Sequence, residues 1–242
     1  MRLSRHRIGL FAAALLSLTS LAAHAADRPP IKTVGIVADT GDKVNMRHIG
    51  FMVFSNKDTA HAVPDWAIDA HIANTLSEGL KARYELKPVT FQQRSIAPAL
   101  DNPFDNPDVE DTMRTNAKPA DGQPLDAYVV VWPMRQGVAG TNQFVEGVGL
   151  LTQGGRANFF LALRVSLLDG RTFEEIEGCS ARIRDRSFWN PEKSTMNEAQ
   201  GFEDVETFDA MTPEQKQTMQ ATLKQMLTGG MNYCLQDLKL VE

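Results

Sequence analysis

Few residues of this chain stand at spacings that would support chemistry, and its two cysteines are the plainest. Cys179 and Cys234 form an even pair, one in a strand-like run and one in a helix-like run. In an oxidising compartment such a pair reads as one disulfide tying the C-terminal helix to a hairpin. Two buried free thiols are the alternative. The bridge would close a 56-residue loop and contribute about 4 kcal/mol through the entropy of the unfolded chain. No helix start follows Gly178-Cys179-Ser180 to depress a thiol pKa, and no G-x-S-x-G elbow occurs. The chain therefore reads as non-enzymatic.

Metal and phosphate chemistry are also poorly encoded. His48, His61 and His71 lie near Asp58, Asp65 and Asp69, but no H-x-x-x-H, H-E-x-x-H or C-x-x-C spacing is present. Asp65 and Asp69 share a helix face and suit the positive end of a helix dipole. Asp101, Asp105, Asp108 and Asp111 lack the ordered spacing of a calcium loop and read as turn and capping residues. Gly147-Val148-Gly149 falls one residue short of a dinucleotide fingerprint and is followed by a strand. A glycine-rich hairpin or mobile loop accounts for it better. No cofactor and no metal are expected.

One surface stripe remains. Arg182, Arg184 and Arg186 alternate, so an extended backbone would place them on one face, with Phe188 and Trp189 beside them. Arginine and tryptophan dominate interface energetics, so these five residues are a candidate interaction surface. An ordinary solvated strand end with Ile183 facing inward is the simpler reading.

These residues need elements to position them. Residues 31–38 and 48–55 read as strands. A helix with an apolar stripe through Trp66, Ala70, Ala73, Leu76 and Leu80, widened by Ile68 and Ile72, follows Pro64. Gly79 weakens that helix, so something should pack closely there. Tyr84–Phe91 reads as an edge strand because of Pro88. Asp126–Trp132 is the strongest strand signal, a continuous apolar run expected as a central strand buried on both faces.

Residues 95–124, 137–155 and 186–210 read as irregular excursions, the first with a short helix near 108–116 and the second rich in glycine. Between the latter two, 158–168 and 171–184 flank Asp169-Gly170, a hairpin signal. A two-residue turn would pair positions summing to 339. Arg164 would then oppose Glu175, and Cys179 would oppose Phe160 on the face away from Leu161, Leu163 and Val165. Phe159, Leu161, Leu163, Val165 and Leu167 are the expected core face. Thr212-Pro213-Glu214-Gln215 opens the last helix with a capping box. Its stripe is Met219, Leu223, Met226, Leu227 and Cys234, and Gly229-Gly230 should weaken or split it. The order of elements predicts an α/β (α+β) domain: a single mixed sheet with a C-terminal-half hairpin and helices packed on it.

The first 25 residues read as a cleavable signal peptide: Arg2, Arg5 and Arg7, an apolar stretch over 8–23, then Ala23-His24-Ala25. No cysteine follows at the cleavage point, which excludes a lipid anchor there. Residues 26–242 are then one globular periplasmic domain. The 242-residue chain has 43% hydrophobic and 23% charged residues, an ordinary globular composition. Without Arg2, Arg5 and Arg7 it keeps 22 basic against 30 acidic residues, a net of −8. That argues against a nucleic-acid partner. No second run is long enough to span a membrane.

Three segments resemble a group of envelope proteins. They are the opening strand with the helix over 66–83 and its following strand, the run Asp126-Ala127-Tyr128-Val129-Val130-Val131, and the hairpin from Leu163 to Ile176. The group includes the curli secretion channel subunit, lipoprotein activators of penicillin-binding proteins and the N-terminal domain of TolB. The resemblance implies a non-catalytic periplasmic domain that binds other envelope components. It carries no functional residue across. The expectation is a soluble periplasmic accessory or adaptor protein that binds an envelope protein or assembly, with a homo-oligomer left open. The alternative is a carrier of a small apolar or anionic ligand, lipid or glycan.

Overall fold

The computed structural model describes residues 30–96, 108–183 and 195–241. In chain order these form β1 (Thr33–Ala38), β2 (Lys43–Ile49), β3 (Lys57–Ala62), α1 (Ile68–Leu80), β4 (Glu85–Lys87), β5 (Val89–Thr90), α2 (Val109–Asn116), β6 (Lys118–Pro119), β7 (Ala127–Pro133), β8 (Arg135–Gly137), β9 (Phe144–Gln153), β10 (Arg156–Asp169), β11 (Glu175–Ser180), β12 (Met196–Glu198) and α3 (Pro213–Asp237). Ten strands make one mixed sheet, with β5 and β6 paired apart from it. The α+β class and the single mixed sheet expected from the sequence are what forms.

The 14-residue β10 is the spine of the sheet. Its residues 156–162 pair with β9 and 163–169 with β7. The opposite edge of β10 takes β12 over 158–160 and β11 over 164–168. Hydrogen bonds confirm the division: Leu161 N donates to Thr195 O and Ala181 N to Leu163 O, whereas Met134 N donates to Ala162 O. Alternate residues of an extended strand point their backbone groups to opposite edges. Two half-sheets result, β4-β1-β7 and β3-β2-β9, laid end to end along one strand.

The faces are covered unevenly. Leu161, Leu163, Val165 and Leu167 of β10 pack with Ile68, Ile72, Leu76 and Leu80 of α1 and with Met219, Leu223 and Leu227 of α3. This is the core face expected from the alternation. On the other side of the first half-sheet, Tyr128, Val130 and Leu168 meet Val109 and Met113 of α2. β7 is thus buried on both faces, as its unbroken apolar run predicts. On the same side of the second half-sheet, Ile49, Val145, Leu151, Phe160 and Ala162 form a smaller cluster to which no described helix contributes.

Local chemistry explains the helices. Thr212 Oγ1 accepts from Gln215 N while Gln215 Oε1 accepts from Thr212 N, completing the capping box. Gly79 of α1 lies against α3: a Cβ there would stand 2.5 Å from Leu235 Cδ1. The expected close packing at Gly79 is therefore real. The expected break at Gly229-Gly230 is not, because α3 runs unbroken through both. A Cβ at Gly230 would stand 2.6 Å from Leu161 Cδ2 and 3.2 Å from Ala181 Cβ. That glycine admits the sheet, and the burial it permits outweighs the lost helix propensity of about 1 kcal/mol.

Three expectations need correction. Residues 48–55 are not a strand: β2 ends at Ile49, a tight turn follows, and β3, absent from the sequence reading, comes next. Residues 137–155 are not a loose excursion, because they contain the whole of β9, largely buried. The β10–β11 turn is longer than two residues. Val165 faces Cys179 and Arg164 faces Ser180, so paired positions sum to 344 rather than 339. Asp169 N donates to Glu174 O, and Asp169 Oδ1 accepts from Arg171 N and Thr172 N. Gly170 is needed for close approach, since a Cβ would lie 1.9 Å from Leu125 O. The left-handed residue is Phe173, φ 63°, whose ring stacks on Tyr128 at 5.3 Å. The offset of five is odd, so the side chains of β11 from Glu177 to Ser180 change face, whereas Glu175, beyond a bulge, pairs with Leu168 at an offset of four and keeps its face.

Candidate functional site

The half-sheet face to which no described helix contributes carries a cleft of about 390 Å³. It exists because β2 alternates. Val44 and Met46 point to the main core, so Lys43, Asn45 and Arg47 point away from it. Asp58 of β3 is the register partner of Arg47. Arg135 of β8 and Glu146 of β9 are partners in the short β8–β9 ladder. Phe160 of β10 lies in the lining, and Phe144 joins it with 57% of its surface exposed.

Two glycines let these strands approach. A Cβ at Gly149 would lie 1.7 Å from Asn45 O, and Gly147 adopts φ 66° beside Asn45 Nδ2. Asn45 Nδ2 donates to Glu146 O at 2.5 Å. The glycine spacing over 147–149 thus serves the parallel contact of β2 with β9, inside a buried strand and not in a phosphate loop.

The electrostatics are mixed. Arg47 Nη1 donates to Asp58 Oδ2 at 2.5 Å and Arg47 Nη2 to Gln143 Oε1. Its Nε is buried and meets no acceptor among the described residues. Glu146 lies between Lys43 at 3.8 Å and Arg135 at 3.6 Å. Three basic and two acidic side chains, with an exposed aromatic, suit a polar contact with a slight preference for negative charge. Among the described residues the lining holds no serine, cysteine or histidine.

The residues singled out by sequence are placed elsewhere. Cys179 and Cys234 form a disulfide, Cα–Cα 5.6 Å, joining β11 to α3 on the main-core side. A bridge of this kind suits an oxidising, extracytoplasmic compartment. Arg182 folds onto α3: its Nη1 donates to Tyr233 Oη at 3.3 Å and its guanidinium lies 5.4 Å from that ring's centroid. Ile183 packs toward the core. Arg184, Arg186, Phe188 and Trp189 lie outside the described residues, as do the leader over 1–25 and Asp101 and Asp105. Asp108 caps α2, its carboxylate accepting from Asp111 N at 2.8 Å.

The histidines are dispersed. His48 Nδ1 lies 2.8 Å from Thr152 Oγ1, His61 stacks on Phe208, and His71 Nε2 meets Lys224 O and Thr228 Oγ1 on α3. Among the described residues no three His, Cys, Asp or Glu side chains are grouped as a metal site would need. Asp69 has a role the sequence did not indicate. Its carboxylate accepts from Thr40 N, Thr40 Oγ1 and Gly41 N, while Asp42 Oδ1 accepts from Asp69 N. The two acids fasten the β1–β2 connection to the start of α1. Burial pushes the Asp69 carboxyl up to about 6, against the hydrogen bonds from Thr40.

Among the described residues no helix is long and apolar enough to cross a membrane. No known protein family matches the chain, and no curated protein matches it. Solved structures give distant likenesses. Lipoprotein GNA1162 from Neisseria meningitidis is 11% identical over 81% of this chain and 98% of its own, with a TM-score of 0.31. The hypothetical protein CT253 from Chlamydia trachomatis is 10% identical over 84% of this chain and 98% of its own, with a TM-score of 0.28. Neither likeness bears on chemistry.

Proposed function

We propose that this chain is an exported, non-catalytic accessory protein of the cell envelope that docks on another envelope protein through the helix-free face of its second half-sheet. The observation that carries the reading is the uneven cover of the sheet. Among the described residues, helices contribute to the apolar clusters on three of four half-sheet faces, and the fourth presents Phe144 beside a charged cleft. An exposed aromatic ringed by charged groups is the composition of a protein contact. The leader read at residues 1–25 and the disulfide support export. The non-catalytic reading is supported by the dispersal of the histidines and the pairing of both cysteines.

The test is co-purification from envelope extract of the exported protein, beside Phe144→Ala and Lys43→Glu forms. One discrete partner retained by the parent and lost by both variants supports the reading. A partner set indifferent to both overturns it.

A carrier function is the second reading. The cleft volume falls within the range of ligand sites, roughly 300–1,000 Å³, and Lys43, Arg47 and Arg135 line it. Its mixed lining favours an anionic ligand over an apolar one. Native mass spectrometry of the protein isolated from its own envelope distinguishes the two readings: a retained small molecule favours the carrier, and a bound protein the adaptor.

A further inference from the structure

The turn between β2 and β3 carries the most exposed apolar side chains among the described residues. Phe51 and Phe54 stand at 105% and 98% of full exposure, and Met52 at 63%. Values near 100% mean that each ring stands off the protein surface and packs on nothing. Water contact of that kind is costly for an aromatic side chain, and a tip that bears two is shaped for a water-poor partner.

The tip is built, not frayed. Ser55 N donates to Met52 O at 2.9 Å, and Ser55 Oγ donates to Met52 O at 2.6 Å while accepting from Met52 N. Asn56 Oδ1 accepts from Gly50 N at 3.0 Å, closing the base. A Cβ at Gly50 would lie 2.0 Å from Ser55 Oγ, so glycine is required for this closure. Residues 49–56 contain no ionisable side chain. Gly50 N, Met52 N, Met52 O and Ser55 N are thus paired within the turn, which lowers the cost of moving it into a water-poor medium.

We infer that Phe51, Met52 and Phe54 insert into the interfacial region of a phospholipid bilayer. A lipid surface fits better than a protein pocket because the tip is protruding, uncharged and pairs part of its own backbone. The collar below it is nearly neutral: Lys57 pairs with Glu206, and Arg47 with Asp58. The chain without its leader is acidic, −8 by composition. Insertion is therefore apolar in origin, and anionic lipid does not promote it. The membrane contact lies in the turn after β2, next to the Arg47–Asp58 pair that also lines the cleft, and Phe144 is not among its residues.

Cosedimentation of the exported protein with vesicles tests this, using phosphatidylcholine alone and phosphatidylcholine with added phosphatidylglycerol. Binding to the zwitterionic vesicles is expected, undiminished by Phe144→Ala. Phe51→Ser and Phe54→Ser should each weaken it about tenfold, the loss of a largely buried ring. Both variants should melt with the parent, since neither ring packs on the fold. Absence of binding, binding only when phosphatidylglycerol is present, or binding unchanged in the Phe51→Ser/Phe54→Ser double variant overturns the inference. So does a double variant that keeps vesicle binding but loses a protein partner.

Discussion

Cys179 faces Val165 across the β10–β11 ladder, and that relationship puts the disulfide on the side of the sheet where α3 lies. A two-residue turn would have set Cys179 opposite Phe160, on the wrong face. The longer turn closed between Asp169 and Glu174 corrects it.

The bridge should then stabilise the fold. Replacing both cysteines by alanine is expected to lower the unfolding free energy by about 4 kcal/mol. Denaturant titration with and without reductant checks this. The parent midpoint should fall under reductant and that of the Cys179→Ala/Cys234→Ala variant should not move. A parent midpoint indifferent to reductant would count against the bridge.

Two adjacent glycines in α3 should respond oppositely to alanine. A Cβ at Gly229 meets nothing within 4 Å, so Gly229→Ala should raise stability by about 1 kcal/mol through helix propensity. A Cβ at Gly230 meets Leu161 and Ala181, so Gly230→Ala should lower it by roughly 1–3 kcal/mol. Thermal unfolding of the two variants reads the sign directly.

Asp69 should give the fold a pH dependence of uncommon sign. Its folded pKa, raised by burial to about 6 from 3.8, means that the folded chain keeps a proton the unfolded chain releases. The group's contribution is full below the unfolded value and is lost as pH rises through about 6, on the order of 3 kcal/mol. Asp126 and Asp169 act the other way. Backbone N–H groups, of Thr33 for the first and Thr172 for the second, hold their carboxylates below the usual range. Their contribution is lost as pH falls toward the folded values. The Asp69→Asn form isolates the first effect: the difference in melting temperature between parent and variant should shrink from about pH 4 to about pH 7. A constant difference would refute it.

Much of the fold can be read in local patterns because local chemistry decides it. The capping box at Thr212 and Gln215 involves neighbours in sequence, and the alternation from Phe159 to Leu167 needs only one buried face. The 50–54 run misleads because its apolar residues imitate a strand, while Val44, Met46 and Ile49 already fill the buried positions of β2. Long-range contacts are the other gap. Gly170 looks like a turn glycine and is one that Leu125 crowds. The Arg164–Glu175 ion pair forms, yet by reaching over Gly178, where a Cβ would lie 2.2 Å from Arg164 Nη2. The cleft escapes the sequence because Lys43 and Arg47, Arg135 and Phe144 come from three strands at scattered positions.

Docking through the helix-free face is tested most directly by a photo-crosslinking amino acid placed at Phe144 in living cells. A matching probe at Ala221, exposed on α3, serves as the control. The expected result is one discrete higher-mass adduct from position 144 and none from 221. Equal adducts from both positions, or none from 144, would contradict the account.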